Sequence, residues 1–287
     1  HIVLDSKFSL IQLANGFEDY QHCLMYISTG SQYYFETSKV SFKTLLSMLI
    51  SIHEKIFMER NSLKHEDNIQ NYEMKWRMNS RPAIESMLKY WEALYIKNGG
   101  ILIRNEENIP LINENPAMSL IIVLHLFANI RKCVYLTDVM NKAWLKQWTE
   151  MNQALDNFCS DWDSLREATD YALNVIDFWA DTVSIMQNAE RTAIGTPIFS
   201  ITCIFSSILI VSEHMRHVEA WGQEFDAANS SAHVINSYDR MLWLKSEQTL
   251  KKVEDHLLPK GYNKQSYAEF LRSQANGALD VDVLDNE

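Results

Sequence analysis

Three carboxylates in one stretch of the chain invite chemistry. Asp177 and Asp181 stand four residues apart and Asp170 lies seven before Asp177, so on a helix all three share one stripe. Paired acids at this spacing can hold magnesium against a diphosphate when they face inward. That chemistry also calls for an Asp-Asp-x-x-Asp run and a second acidic motif on a facing helix, and the sequence has neither. A solvated helix face is the simpler reading. His214, His217 and Glu219 form a second group, since histidines three apart on a helix project near each other and suit zinc. The order HxxHxE is not the HExxH of metalloproteases, and no third ligand is recognisable. A polar end to an apolar helix accounts for them, and His65-Glu66-Asp67 reads as surface charge by the same logic. There is no GxSxG elbow, and only 8 glycines leave no GxGxxG or phosphate-binding loop. No catalytic residue, cofactor or metal ligand is expected.

These groups must be positioned by helices. Apolar residues recur every three or four positions, while 8 Gly and 5 Pro in 287 residues give few places to reverse a strand. The expectation is an all-α domain of about nine to twelve helices, irregularly packed, with no repeat of fixed period. Its centre is placed at residues 197–218: Ile198 to Val211 is apolar or small on nearly every side, and such a helix must be surrounded. Thr196 can cap it and Pro197 suits its first turn. The face Leu165, Ala168, Ala172, Val175, Ile176, Trp179, Val183 and Met186 is expected to lie along it.

Elsewhere the spacing predicts helices over residues 3–29, from Ser38 through Arg60 with Phe57 on the buried face, from Arg81 to the Asn98-Gly99-Gly100 break, from Ala117 to Tyr135, from Asp138 to about Cys159 with Trp144 and Trp148 inside, from about Ala232 to Leu257, and over 264–276. Residues 62–79 read as a surface segment with one buried edge, and Arg131 and Lys132 as dipole-complementing bases in a last turn. Residues 99–116 form a loop that could bound two units, but a single domain over 1–287 is preferred because neither flank has linker composition.

With 47% hydrophobic residues the chain can bury a large core. A net charge of −11 argues against direct nucleic-acid binding, which needs clustered Lys and Arg. Asp280, Asp282, Asp285 and Glu287 supply part of that charge in an acidic tail. Cys23, Cys133, Cys159 and Cys203 are scattered, so a reducing compartment is expected rather than a disulfide framework. The opening HIVLDSKF has no basic n-region, and the chain reads as an excised domain. The 14 residues 198–211, apolar or small, are too short for a membrane span. Twelve Met and eight Trp are read as gap fillers between helices, with an apolar small-molecule pocket as the other use.

The succession from Ala172 to Trp221, ALNVIDFWADTVSIMQNAERTAIGTPIFSITCIFSSILIVSEHMRHVEAW, resembles the C-terminal part of the regulatory (middle homology) domain of fungal transcription factors, above all those with paired classical zinc fingers. Val175 to Trp179 stands for the family's Leu/Ile-x-x-Trp face, Thr196-Pro197 for its turn, and the apolar helix follows. Arg81 through Leu126 is similar to the family's helix, connector and buried helix. The resemblance implies a non-enzymatic, nuclear regulatory domain that acts on a homodimer partner or on coregulators. DNA would be held by a zinc-finger module outside this chain, no membrane is involved, and a small apolar ligand is admissible. The other function class is an isoprenoid-synthase-like enzyme using magnesium with Asp177 and Asp181.

Overall fold

The computed structural model describes residues 4–5, 28, 39–62, 69–105, 107–156, 161–186, 198–225 and 236–257. Ten α-helices account for most of them: α1 (Phe42–Ser62), α2 (Ile69–Lys75), α3 (Arg81–Lys97), α4 (Ile109–Glu114), α5 (Pro116–Cys133), α6 (Thr137–Trp144), α7 (Trp148–Asp156), α8 (Trp162–Met186), α9 (Ile198–Phe225) and α10 (Ser237–Leu257). The all-α expectation holds. The other regular pairing is a two-residue antiparallel bridge of β1 (Leu4–Asp5) with β2 (Lys39–Val40), Leu4 opposite Val40. The helix expected over 3–29 fails at its start, where Leu4–Asp5 is the strand β1 paired to β2. The rest of 3–29 apart from Ser28, the reading at 264–276, the Thr196-Pro197 turn, His65-Glu66-Asp67, Cys23 and Cys159 lie outside the described residues.

Local chemistry sets the ends of these helices. Between α2 and α3 the backbone widens into a π turn at Trp76–Ser80. Pro82 has no N–H to give and its ring crowds the carbonyl four residues back, which an ordinary α turn could not absorb. At the far end of α3, Gly99 takes φ +82°, and a Cβ on Gly100 would lie 2.5 Å from the Tyr95 ring, so both glycines are required. Asn98 then ties this end to β2, accepting from Val40 N at 2.7 Å and donating to Leu94 O at 2.8 Å. Helix α5 begins on Asn115, whose side chain accepts from Met118 N, with Pro116 in the first turn. Helix α8 begins on Asp161, which accepts from Ser164 N at 3.1 Å.

Helix α8 packs against α9, α5 and α10. Of the predicted face, Leu165, Ala168, Ala172, Val175 and Ile176 are buried along it and Trp179 is partly buried, with the side chains of Val183 and Met186 outside the described residues; Leu173 is buried as well. Cys203, Ser206, Ser207, Ile210, Val211 and His214 form the buried side of α9, but Ile201 is 50% and Ile208 45% exposed. The expectation that 198–211 is enclosed all round therefore fails at those two positions: α9 has neighbours on one side and an apolar outer face. Residues 138–156 depart further from expectation, 157–159 of the predicted helix lying outside the described residues. They form two helices, because the chain turns at Lys146 through φ 57°. Trp144 and Trp148, read as core, are 65% and 56% exposed in consequence. The loop 99–116 contains the short helix α4, and helices from both sides of it contribute to one buried apolar cluster. No single helix among the described residues is long and apolar enough to cross a membrane.

Candidate functional site

The acidic stripe of α8 is present, and it is already paired. Lys245 and Lys252, seven apart on α10, meet the acids seven apart on α8. Lys245 Nζ lies 2.6 Å from Asp170 Oδ1, and Lys252 Nζ lies 2.7 Å from Asp177 and 2.6 Å from Asp181. Arg104 reaches Asp181 from the connector at 3.2 Å. Burial pushes the Lys252 ammonium down, but Asp177 and Asp181 outweigh it and hold the group above the usual lysine range. The three acids thus clamp α10 onto α8. No group of three His, Cys, Asp or Glu among the described residues is arranged to hold a metal ion.

The histidines of α9 separate in role. His214 is fully buried, stacked on Trp162 at 5.2 Å, with Nε2 3.5 Å from Asp239 Oδ1, and burial pushes its pKa down. It is not at a polar helix end, as the sequence suggested. His217, on the wetter side, lies 2.8 Å from Glu213, and Glu219 is exposed. The buried thiols of Cys133 and Cys203 are both pushed up by burial, Cys203 to about 12, so neither is a nucleophile.

Another feature with binding geometry, among the described residues, is a cleft of about 190 Å³ where α1, α5, α6 and α9 converge. Helix α1 presents Ile56, Phe57 and Arg60 to it, and α5 presents Phe127 and Arg131 one turn apart. Met140 and Trp144 come from α6 and Thr202 from α9. Phe57, placed on a buried face by spacing, is 46% exposed because it stands at the mouth. Neither arginine points into solvent. Arg60 is 2% exposed, stacks on Trp76 with its guanidinium carbon 3.8 Å from the ring centre, donates to Lys132 O at 3.2 Å and pairs with Glu73 at 3.1 Å. Trp76 Nε1 donates to the same carbonyl at 2.9 Å. Lys132, in the last turn of α5 as read from the sequence, is buried with Nζ 2.9 Å from Glu167.

Arg131 donates Nη1 to His53 Nδ1 at 3.0 Å, while His53 Nε2 donates to Leu124 O at 3.0 Å. This fixes His53 as a neutral imidazole. Burial, with Arg131 beside it, pushes the group from its ordinary value near 6.5 to about 3. The unfolded chain takes that proton near pH 6.5 and the folded one does not. Stability is therefore complete above 6.5 and falls as pH drops below it, by up to about 1.4 kcal/mol per unit. Buried His214 acts in the same direction. The melting temperature should fall steadily from pH 7 to pH 5, before most carboxylates titrate, and His53→Gln should shrink the fall. A melting temperature flat over that window would contradict the burial of both rings.

Sequence reasoning missed the cleft because charged residues within an apolar period are assigned to the surface. The available signal was that Arg60 follows Ile56, and Arg131 follows Phe127, by four residues on faces that are otherwise buried.

The whole chain aligns with part of two proteins of Saccharomyces cerevisiae. It is 50% identical over 290 residues to the protein named probable transcription factor TDA9, and 46% identical over 293 residues to respiration factor 2. It spans 23% and 21% of their respective lengths. No protein-family model and no solved structure matches. The resemblance to fungal transcription factors thus holds as sequence similarity over the full chain.

Proposed function

We propose that this chain is a non-enzymatic regulatory domain of a fungal transcription factor, of the middle homology type, folded as one unit and working in the nucleus. The observation that carries this reading is the 50% identity, over all of the chain, with a yeast protein named a probable transcription factor. At −11 the chain is poorly suited to hold DNA, so that task falls to a zinc-finger module outside it. Contacts with a second copy or with coregulator proteins would use apolar helix surface such as Leu145 and Trp148, which are exposed beside Trp144. The cleft of α1, α5, α6 and α9 would take a small effector. The rim helices expected around Phe8–Ile27 and Tyr267–Leu271 lie outside the described residues.

The test is a reporter assay. Fused to an unrelated DNA-binding module, this chain should change transcription, while alone it should not shift duplex DNA at physiological salt. Tight DNA binding by the chain, or an inert fusion, would overturn the reading. Nothing favours the isoprenoid-type alternative, because Asp177 and Asp181 already pair with Lys252. A rise in melting temperature with magnesium and diphosphate that disappears in Asp177→Asn would restore it.

A further inference from the structure

The two arginines of the cleft differ in how their charge is balanced. Arg60 has Glu73 at 3.1 Å. Arg131 has no carboxylate partner among the described residues; its Nη1 goes to a neutral imidazole and to His53 O at 3.3 Å. Burial above all, with the neighbouring Arg60 charge acting the same way, weakens its hold on its proton. A guanidinium stays protonated regardless, so the cleft keeps an uncompensated positive charge against an apolar wall. Such a group gains most from an anion that brings its own apolar surface.

The rest of the cleft fits that description. Phe127 lines its wall, and Phe57 and Trp144 stand at its mouth as large aromatic side chains 46% and 65% exposed. Asn141 adds a neutral polar group at the edge. We propose that this cleft binds a small organic carboxylate, its head on Arg131 and its apolar body laid between Phe57, Phe127 and Trp144. At about 190 Å³ the cleft is somewhat larger than an apolar cavity of roughly 150 Å³ that takes the six carbons of benzene, so it suits a body of about eight carbons. A bare phosphate fits worse, since one guanidinium without a cluster of backbone N–H groups gives a dianion too few donors and the aromatic wall gives it nothing. The inference names the effector class for the regulatory reading and rests on it only for its purpose; the binding itself is a property of the cleft.

Sodium octanoate is the probe, with octanol and inorganic phosphate beside it, titrated into the 287-residue chain by calorimetry and followed by thermal melting. Octanoate should give one saturable site and raise the melting temperature, and the other two should not. Arg131→Gln should weaken octanoate by about tenfold or more, as loss of a charge-assisted pair does. Trp144→Ala, at an exposed position that leaves the fold intact, should weaken it severalfold and decides the matter if Arg131→Gln fails to fold. Octanol binding as well as octanoate, phosphate matching it, or octanoate affinity unchanged in either folded variant would overturn the proposal. Calorimetry reads the cleft and the reporter fusion reads regulation, so either can fail while the other stands.

Discussion

Ile210→Asp should leave no folded protein. Ile210 is fully buried on the inner side of α9, between Cys203 and His214 along the helix that packs against α8. An aspartate there would place a carboxylate in an apolar interior with no partner, at a cost of several kcal/mol. Against a total stability of roughly 5–15 kcal/mol for a domain, that loss together with the missing side-chain packing consumes most of the margin. Ile208→Asp provides the contrast: two residues earlier, 45% exposed, it should change stability by no more than about 0.5 kcal/mol. The readout is urea unfolding of the two variants beside the parent. A soluble Ile210→Asp protein unfolding at the parent's midpoint would show that α9 does not pack as described.

The contrast between Ile210 and Ile208 also marks where sequence reading stops. Spacing identifies α8 and the first half of its inner face, because Leu165, Ala168, Ala172, Val175 and Ile176 repeat against polar neighbours, whereas Trp179, on the same predicted face, is only partly buried. It cannot choose an inner face for α9, where apolar residues go all the way round; Ile204 reads as central yet is only partly buried. The turn at Lys146 is invisible for another reason. WLKQW contains neither Gly nor Pro, so a left-handed residue in it is fixed by how α6 and α7 dock, not by local preference. The Asn98-Gly99-Gly100 stop, in contrast, is a local requirement and is legible.

The candidate site follows the same division. The stripe Asp170, Asp177 and Asp181 is a fact of helix geometry, but its partners Lys245 and Lys252 lie on α10, some seventy residues on, and only packing brings them together. Arg60 and Arg131 are harder still. Each carries a charge into an apolar period, and that choice makes sense only once Trp76, Glu73 and His53 surround it.

Asp239→Ala should be the most damaging change to a polar residue. Asp239 is fully buried and receives two hydrogen bonds from Arg166, Nε and Nη2 each at 2.6 Å, in the two-pronged geometry that suits a carboxylate. Its Oδ2 also accepts from Asn236 N at 2.9 Å, while Asn236 Oδ1 accepts from Tyr238 N and Asp239 N. That is a reciprocal cap on the first turn of α10, written in the sequence as Asn-Ser-Tyr-Asp. Alanine would remove the cap, leave the Arg166 guanidinium largely buried without its main partner, and strip Nε2 of His214 of its nearby carboxylate. A loss of about 3–5 kcal/mol is expected, as for other buried pairs broken from one side. Arg166→Met in the same background should recover part of it, because the orphaned charge goes too. The sign with pH is opposite in origin to that of His53 but alike in effect. Burial pushes the Asp239 carboxyl up, yet Arg166 and Asn236 outweigh it and hold the group below the usual range, so its contribution is complete above about pH 4 and is lost in acid. Unfolding of Asp239→Ala, Arg166→Met and the double variant in urea at pH 7 measures the coupling. If Asp239→Ala stayed within about 0.5 kcal/mol of the parent, or the double variant were no better than the two losses added, the buried pair would not be what joins α8 to the start of α10.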